Sequence, residues 1–422
     1  MVPYLRKLNR QNQVYIRIAI IVIFCVLLTL ANLYYTKVNP GGVDFLVNWT
    51  GTRELITNGA SPYSSDTTQM IQNNLAETRA MDGNTEPRFS IPLYGILLLA
   101  PFALIKDFVF ARALWMTILE LAVVAVILLS LKLVYWKPRS FILIAMYLFG
   151  LFGLHGILPI LDGNLIILMA LSSLLVLILM REKMDELAGI MLAVTTILPA
   201  QMALFVIFIL IRVITTGRKR IIFSFIGALG LLLGFSIAII PNWFLQFLKN
   251  FINSYQGINP GSPGMVLIDR WGSIGNRFAI IIAIGIGLMI LFEWWRVYRA
   301  EEKHFLWTAM TTIVLGTWLG IKNSPMNYVI LYPAVIMGCA LLYERWKGRV
   351  EGIITTLFAL LFFANWAIFL LTLSSEYKPG ISSFLFIPLP VVTVFLLYWS
   401  KWWVLQSKKV EFDPTLIELQ SK

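Results

Sequence analysis

The chain has 422 residues, of which 59% are hydrophobic and 13% charged, against roughly a quarter charged in a soluble domain. That balance excludes an ordinary soluble fold. The formal charge of +12 sits in short Lys/Arg clusters between apolar runs, which is a topology signal and excludes a nucleic-acid groove. The two cysteines, Cys25 and Cys339, fall inside apolar segments, and neither His155 nor His304 has a companion at ligand spacing. No disulfide framework, metal site or cofactor is therefore expected.

Taken in chain order, the first apolar run, Tyr15 to Tyr35, is long enough to cross a bilayer, and no small-residue cleavage site follows it. Similar runs recur at Ile221 to Ile240 and Gly352 to Leu373. Backbone in lipid must satisfy its own hydrogen bonds, so these runs are helices, and the alternating polarity of a barrel is absent. Basic clusters occur at Arg6 to Arg17, Lys132 to Arg139, Arg181 to Lys183, Arg212 to Arg220, Arg296 to Lys303, Arg345 to Arg349 and Lys401 to Lys409. All fall on one side if Ile91 to Ile105, broken by Pro92 and Pro101, does not cross fully. The other condition is that Leu187 to Val213 is a pair of short helices turning at Leu198 to Gln201.

The expected architecture is an all-α polytopic membrane protein, one integral membrane domain over 1–422 with about twelve transmembrane helices and both termini cytoplasmic. A long first outer loop covers about 37–108, a second about 242–277, and a cytoplasmic tail about 405–422. Within the first loop, Ser64 to Ala80 is expected to form an amphipathic helix on the membrane surface. In the second, Gln256 to Gly264 reads as a flexible Gly/Asn/Pro loop.

The residues that could carry chemistry begin just past the first helix, at Gly42-Val43-Asp44-Phe45 with Trp49, then Asn58-Gly59-Ala60-Ser61-Pro62-Tyr63. A carboxylate at the lip of the bilayer, beside aromatics, can deprotonate a hydroxyl that attacks an anomeric carbon. By position alone, Asp44 reads first as a helix-capping or interfacial turn aspartate. Glu120 lies within an apolar run, where an acid is either functional or bonded to a neighbouring helix.

These blocks, in order, resemble glycosyltransferase family 87 of the GT-C superfamily, which includes polyprenol-phosphate-mannose-dependent mannosyltransferases. Asp44-Phe45, Trp49, Gly59 and Pro62-Tyr63 are similar to its opening signature. Phe89 to Tyr94, running to Pro101-Phe102, resembles its aromatic–proline block. Asp162-Gly163-Asn164 resembles its Gly-Gln-x-Asn block, with Asp162 in place of Gln. Ala188-Gly189 with Leu198-Pro199-Ala200-Gln201 resembles its Ala-Gly…Lys-Pro block, with Leu198 in place of the usual lysine. Asn323-Ser324-Pro325 with Tyr328 and Pro333 resembles its Ser-Pro…Tyr…Pro block.

The resemblance implies a GT-C fold in a bacterial inner membrane, a polyprenyl-phosphate-linked sugar donor with mannose the leading case, and a lipid or glycan acceptor. It also implies transfer on the outer face with inversion, Asp44 acting as general base. Asp162 and Asn164 are expected to meet sugar hydroxyls or orient the base, with His155 approaching Asp162 across a short turn. Trp49, Tyr63 and Gln201 are expected on the substrate side. With Leu198 in the lysine position, the cation for the leaving phosphate falls to Arg53, Arg88, Arg270, Arg277 or Lys322, with Trp271 stacking on sugar. A transporter or flippase of lipid-linked sugars, or a silent glycolipid-binding relative, is the alternative. The first predicts matched broken helices and few outer-loop carboxylates.

Overall fold

The computed structural model describes residues 2–77, 87–253, 263–297, 302–319, 324–374 and 383–402. Among these the protein is helical throughout, with no strand. Lys322, the 254–262 part of the Gly/Asn/Pro loop, and the tail beyond 402 lie outside the described residues. Five helical stretches are long and apolar enough to cross a membrane, and a sixth counts if the bent pair Ser140–Phe152 and Leu154–Asp162 is one span. Shorter apolar helices at Leu93–Ala103, Ile166–Arg181, Pro199–Thr215 and Phe384–Ser400 accompany them.

The chain groups into two compact units. The first comprises Met1–Ala122, Ile160–Asn164 and Ile240–Ser254. It opens with helix α1 (Val2–Val38), followed by α2 (Val43–Asn58), α3 (Ser65–Glu77), α4 (Ile96–Ala103) and the start of α5 (Phe108–Leu133). The apolar side chains of α1 are largely exposed along Gln13–Val38, as on a lipid-facing helix, while Asn32 and Thr36 are buried. Its one polar seam faces α5. Asn32 donates to Thr117 Oγ1 at 3.0 Å and Glu120 Oε2 at 2.9 Å, and Thr29 meets Thr117 at 3.1 Å. Glu120 thus has the interhelical partner that an acid among apolar residues needs.

The segment 91–105 forms a 3₁₀ turn, Leu93–Gly95, running into α4. Eight helical residues rise only about 12 Å, well short of a bilayer core. α3 forms where the amphipathic helix was expected. The second outer region begins with α12 (Trp243–Asn253), which docks inside this unit. Asn250 is buried and donates to the carbonyls of Tyr63 and Phe89, and Gln246 accepts from Ser61 at 2.6 Å.

The core of the first unit is aromatic. Phe45 stacks on Trp115 with centroids 5.4 Å apart and on Phe108 at 5.9 Å, while Phe102 meets Trp115 edge-on at 5.0 Å. Into this cluster the chain inserts Gly163, at φ 76°, and Trp115 Nε1 donates to the Gly163 carbonyl at 2.9 Å. A Cβ on Gly163 would stand 2.4 Å from Phe45 Cβ, so the segment after α7 (Leu154–Asp162) approaches as closely as it does only because this residue has no side chain.

The second unit comprises Val123–Pro159, Leu165–Ile239 and Tyr255–Lys422. It holds α6 (Ser140–Phe152), α8 (Ile166–Arg181), α9 (Asp185–Thr195), α10 (Pro199–Thr215), α11 (Lys219–Ile239), α13 (Pro263–Arg296), α14 (Glu302–Gly316), α15 (Tyr332–Trp346), α16 (Glu351–Ser374) and α17 (Pro388–Ser400). The expected pair of short helices is present as α9 and α10, parted at Thr196–Leu198 just before Pro199. α9 packs against both α8 and α11. A buried ion pair joins Lys401 Nζ to Glu293 Oε2 at 2.5 Å, with the ammonium 4.0 Å from the Trp307 ring. A paired and aromatic-covered cation of this kind is how an apolar interior holds charge.

Two glycines separate packing from backbone strain. Gly59 also has positive φ, at 66°, but a Cβ there meets nothing within 4 Å. Gly59→Ala should cost about 1 kcal/mol, for the backbone alone. Gly163→Ala should cost about 3 kcal/mol or more, because Phe45 must also move. Unfolding temperatures of the two purified variants check the difference.

Candidate active site

The site is built where α2 begins and α7 ends, two places on the first unit far apart in sequence. After α1 the chain turns at Gly41 and Gly42, with φ 142° and 80°. A Cβ on Gly42 would lie 2.5 Å from Arg112 Nε. The bare backbone therefore lets the Arg112 side chain lie directly over the turn, and the same turn launches α2 with Asp44 in its first turn. A carboxylate there is favoured by the unpaired N–H groups and dipole of the helix start.

Asp162 arrives from the last turn of α7. Its Oδ1 accepts from the Val43 N–H at 2.8 Å, one residue before Asp44, which brings the two carboxyl groups together at the start of α2. Two residues on, Asn164 Nδ2 donates to Asp44 Oδ2 at 2.7 Å. Asp44, Asp162 and Asn164, three of the residues singled out in the sequence, therefore form one hydrogen-bonded cluster.

Arg112, on α5, was not anticipated. It is 3% exposed, and its guanidinium donates Nη1 to the Asn39 carbonyl and Nη2 to the Leu161 carbonyl, each at 2.9 Å. Those carbonyls belong to the two segments that deliver Asp44 and Asp162. The cation thereby pins both segments and faces Asp162 with an attractive charge. The signal was present in the sequence: Arg112 is the lone cation in the apolar stretch 108–131, where a charge must have a partner.

Other anticipated residues of this unit serve its packing. Trp49 Nε1 donates to the Phe102 carbonyl at 3.0 Å. Arg53 Nη1 reaches the Ala103 carbonyl at 2.8 Å, at the end of α4. Tyr63 is buried against Phe89 and Phe247 and donates to the Ile91 carbonyl at 2.7 Å. Burial pushes its hydroxyl pKa up, so it stays a neutral donor. Arg88 is half-buried on the segment leading to Pro92.

In the second unit, His155 is 1% exposed, and its Nδ1 is 2.7 Å from the Pro325 carbonyl, with the Tyr328 ring beside it. A carbonyl only accepts, so Nδ1 carries the proton. The ring stands at the start of α7, two turns from Asp162 at its end, and is engaged by Pro325. Gln201 is in the first turn of α10. Arg270, Trp271 and Arg277 are exposed on α13, where the helix breaks at Gly272.

The model of glycosyltransferase family 87 matches residues 89–320, more than half of the 422-residue chain. The chain belongs to glycosyltransferase family 87. It is a multi-pass GT-C-like membrane glycosyltransferase, which implies a sugar donor and an acceptor substrate. The matched span of this family 87 chain includes Arg112, Asp162 and Asn164, while Asp44 lies upstream of it. No curated protein and no solved structure matches the chain.

Arg112 gives a direct test of how the cluster is held. Arg112→Lys keeps a charge but cannot bridge two carbonyls with one planar fork. It should lower stability by about 3 kcal/mol, as loss of a buried polar anchor does. A surface change such as Arg277→Lys should stay within about 0.5 kcal/mol. Thermal unfolding in detergent compares them.

Proposed function

We propose that this glycosyltransferase moves a sugar, mannose in the leading case, from a polyprenyl-phosphate donor to a hydroxyl of a lipid or glycan acceptor. Asp44 is the general base, and transfer inverts the anomeric centre in one step. The observation that carries this reading is the Asp44–Asp162–Asn164 cluster at the start of α2.

The acceptor oxygen forms its bond to the anomeric carbon as the bond from that carbon to the donor phosphate oxygen breaks. The phosphate leaves with the electron pair, and the hydroxyl proton passes to the carboxyl pair. A pair already holding one proton takes a second and becomes neutral, so no isolated charge is left in an apolar setting. Asn164 fixes the Asp44 oxygen by donating to it, and Arg112 ties down the Leu161 carbonyl beside Asp162. Carboxyl groups that act as separate nucleophile and acid on a sugar stand about 5 Å apart. Two delivered to one helix start, as Asp44 and Asp162 are, act as one acceptor, which supports single displacement over a covalent intermediate.

The membrane setting of the proposal has about twelve spans, with α2 to α4 on the outer side and both termini in the cytoplasm. The short α4 and the α9–α10 break support the two adjustments on which that count rests. A prenyl donor is suited to a protein whose helices present apolar surface to lipid, since its tail partitions there and only the phospho-sugar must reach the carboxyls.

Asp44→Asn should reduce transfer at least about 100-fold, the low end for a lost general base, with folding and donor binding retained. Asp162→Asn should lose less, because its amide still donates to Asp44 while the shared proton is gone. Purified protein incubated with a panel of radiolabelled polyprenyl-phospho-sugars and lipid extracts checks both. Wild-type turnover by Asp44→Asn removes the assignment.

A further inference from the structure

We propose that α12 is a membrane-surface helix whose outward apolar side is seated in bilayer hydrocarbon, holding the segments around α3 at the lipid–water boundary. The inference is independent of which sugar and which donor the enzyme uses.

The helix has three sides, set by a turn of 100° per residue. Trp243, Phe247 and Asn250 share the first, and all three are buried. This side grips the protein. Asn250 Nδ2 donates to the Tyr63 carbonyl at 3.3 Å and the Phe89 carbonyl at 3.4 Å, on the two segments that flank α3. The rings of Phe247 and Trp243 meet those of Tyr63 and Tyr94 edge-on. Phe244, Leu248 and Ile252, spaced by four, form the second side together with Leu245, and each is between 39% and 69% exposed. Gln246, Lys249 and Asn253 form the third, a polar strip on which Lys249 is exposed.

No single medium suits that pattern. Water would leave four large apolar side chains hydrated, and hydrocarbon all round would strand the Lys249 charge. At the boundary each side meets its own medium, with the lysine reaching the headgroups. Length and place agree. The 11 residues of α12 rise about 16 Å, half of a bilayer core, so the helix cannot cross it. The chain enters α12 only three residues after the span Lys219–Ile239 ends, too few to carry it far from the surface. By contrast α3, in the same unit, buries Ile71 and Leu75 and turns Asp66, Gln69 and Asn73 outwards, as a helix in water does.

Area separates lipid from a second copy of the chain. A side one helix wide and about 16 Å long offers about 200 Å², against about 800 Å² per partner in a stable protein complex. Lipid needs no such minimum, because a bilayer covers whatever apolar surface it meets.

Spin labels on single cysteines test this in full-length protein reconstituted into phosphatidylcholine–phosphatidylglycerol vesicles, in a Cys25→Ser, Cys339→Ala background. Leu245→Cys and Ile252→Cys report on the apolar side and Lys249→Cys on the polar strip. Leu27→Cys, exposed on the α1 span, is the deep reference, and Gln69→Cys, exposed on α3, is the water reference. Collisions with dissolved oxygen, which concentrates in hydrocarbon, are compared with collisions with a water-soluble nickel chelate. The oxygen-to-nickel ratio at 245 and 252 should be several-fold above that at 249 and 69, and below that at 27. A ratio at 245 and 252 as low as at 69 puts this side in water and overturns the proposal. A ratio equal to that at 27 overturns the surface placement. Few collisions with either reagent would mean that protein covers this side, overturning the lipid assignment.

Discussion

One convergence organises the first unit: the start of α2 with Asp44 and the end of α7 with Asp162 and Asn164, joined by hydrogen bonds between segments more than a hundred residues apart in sequence. Such a contact is costly to build. Two carboxyl groups repel when both are ionised and waste their chemistry when both are neutral, so the fold must hold them at a distance where one proton serves both. The surrounding features follow from that demand. Gly41 and Gly42 turn without side chains so that Arg112 can lie over them, and Gly163 fits beneath Phe45 so that α7 can end at the right place. Arg112 ties the Asn39 and Leu161 carbonyls together, and Trp115 anchors Gly163 from the same helix. α5 therefore supports the pair with two side chains three residues apart, on one face.

That arrangement also fits a reaction at a membrane surface. A base surrounded by bulk water would lose much of its directional value, and a base buried in lipid would not ionise. The monoanionic pair that we propose, with one buried arginine and one amide beside it, would hold its charge with little reliance on solvent. The apolar helices around it present hydrocarbon to lipid, as α1 does along its length from Gln13.

Much of this was legible in the sequence, for identifiable reasons. Helical class followed from run length, because lipid leaves the backbone few alternatives. The break between α9 and α10 was announced by Pro199, and the short 91–105 segment by Pro92 and Pro101. Asp44 and Asn164 could be singled out because they stand beside glycines at the ends of apolar runs. Their contact was expected only as one of two roles for Asn164, orienting the base or meeting sugar hydroxyls, since no local pattern reports on a pairing across 120 positions. Arg112 was overlooked although a lone cation in an apolar run is itself a signal; its purpose shows only when the carbonyls it bridges are seen. Trp49 and Tyr63 lie in the same unit as the carboxyls, and the structure uses their polar tips on the backbone carbonyls of Phe102 and Ile91. Indole and phenol groups serve core and ligand equally well by composition. Helix length told less, because several apolar helices here are shorter than a full span.

The central physical claim is that Asp44 and Asp162 share one proton. Infrared difference spectra of the carboxyl stretching region, taken for wild type against Asp44→Asn and against Asp162→Asn, measure it most directly. The account predicts that each substitution removes the same protonated-carboxyl band, because that band belongs to the pair. A protonated-carboxyl region that is unchanged in both variants would contradict it.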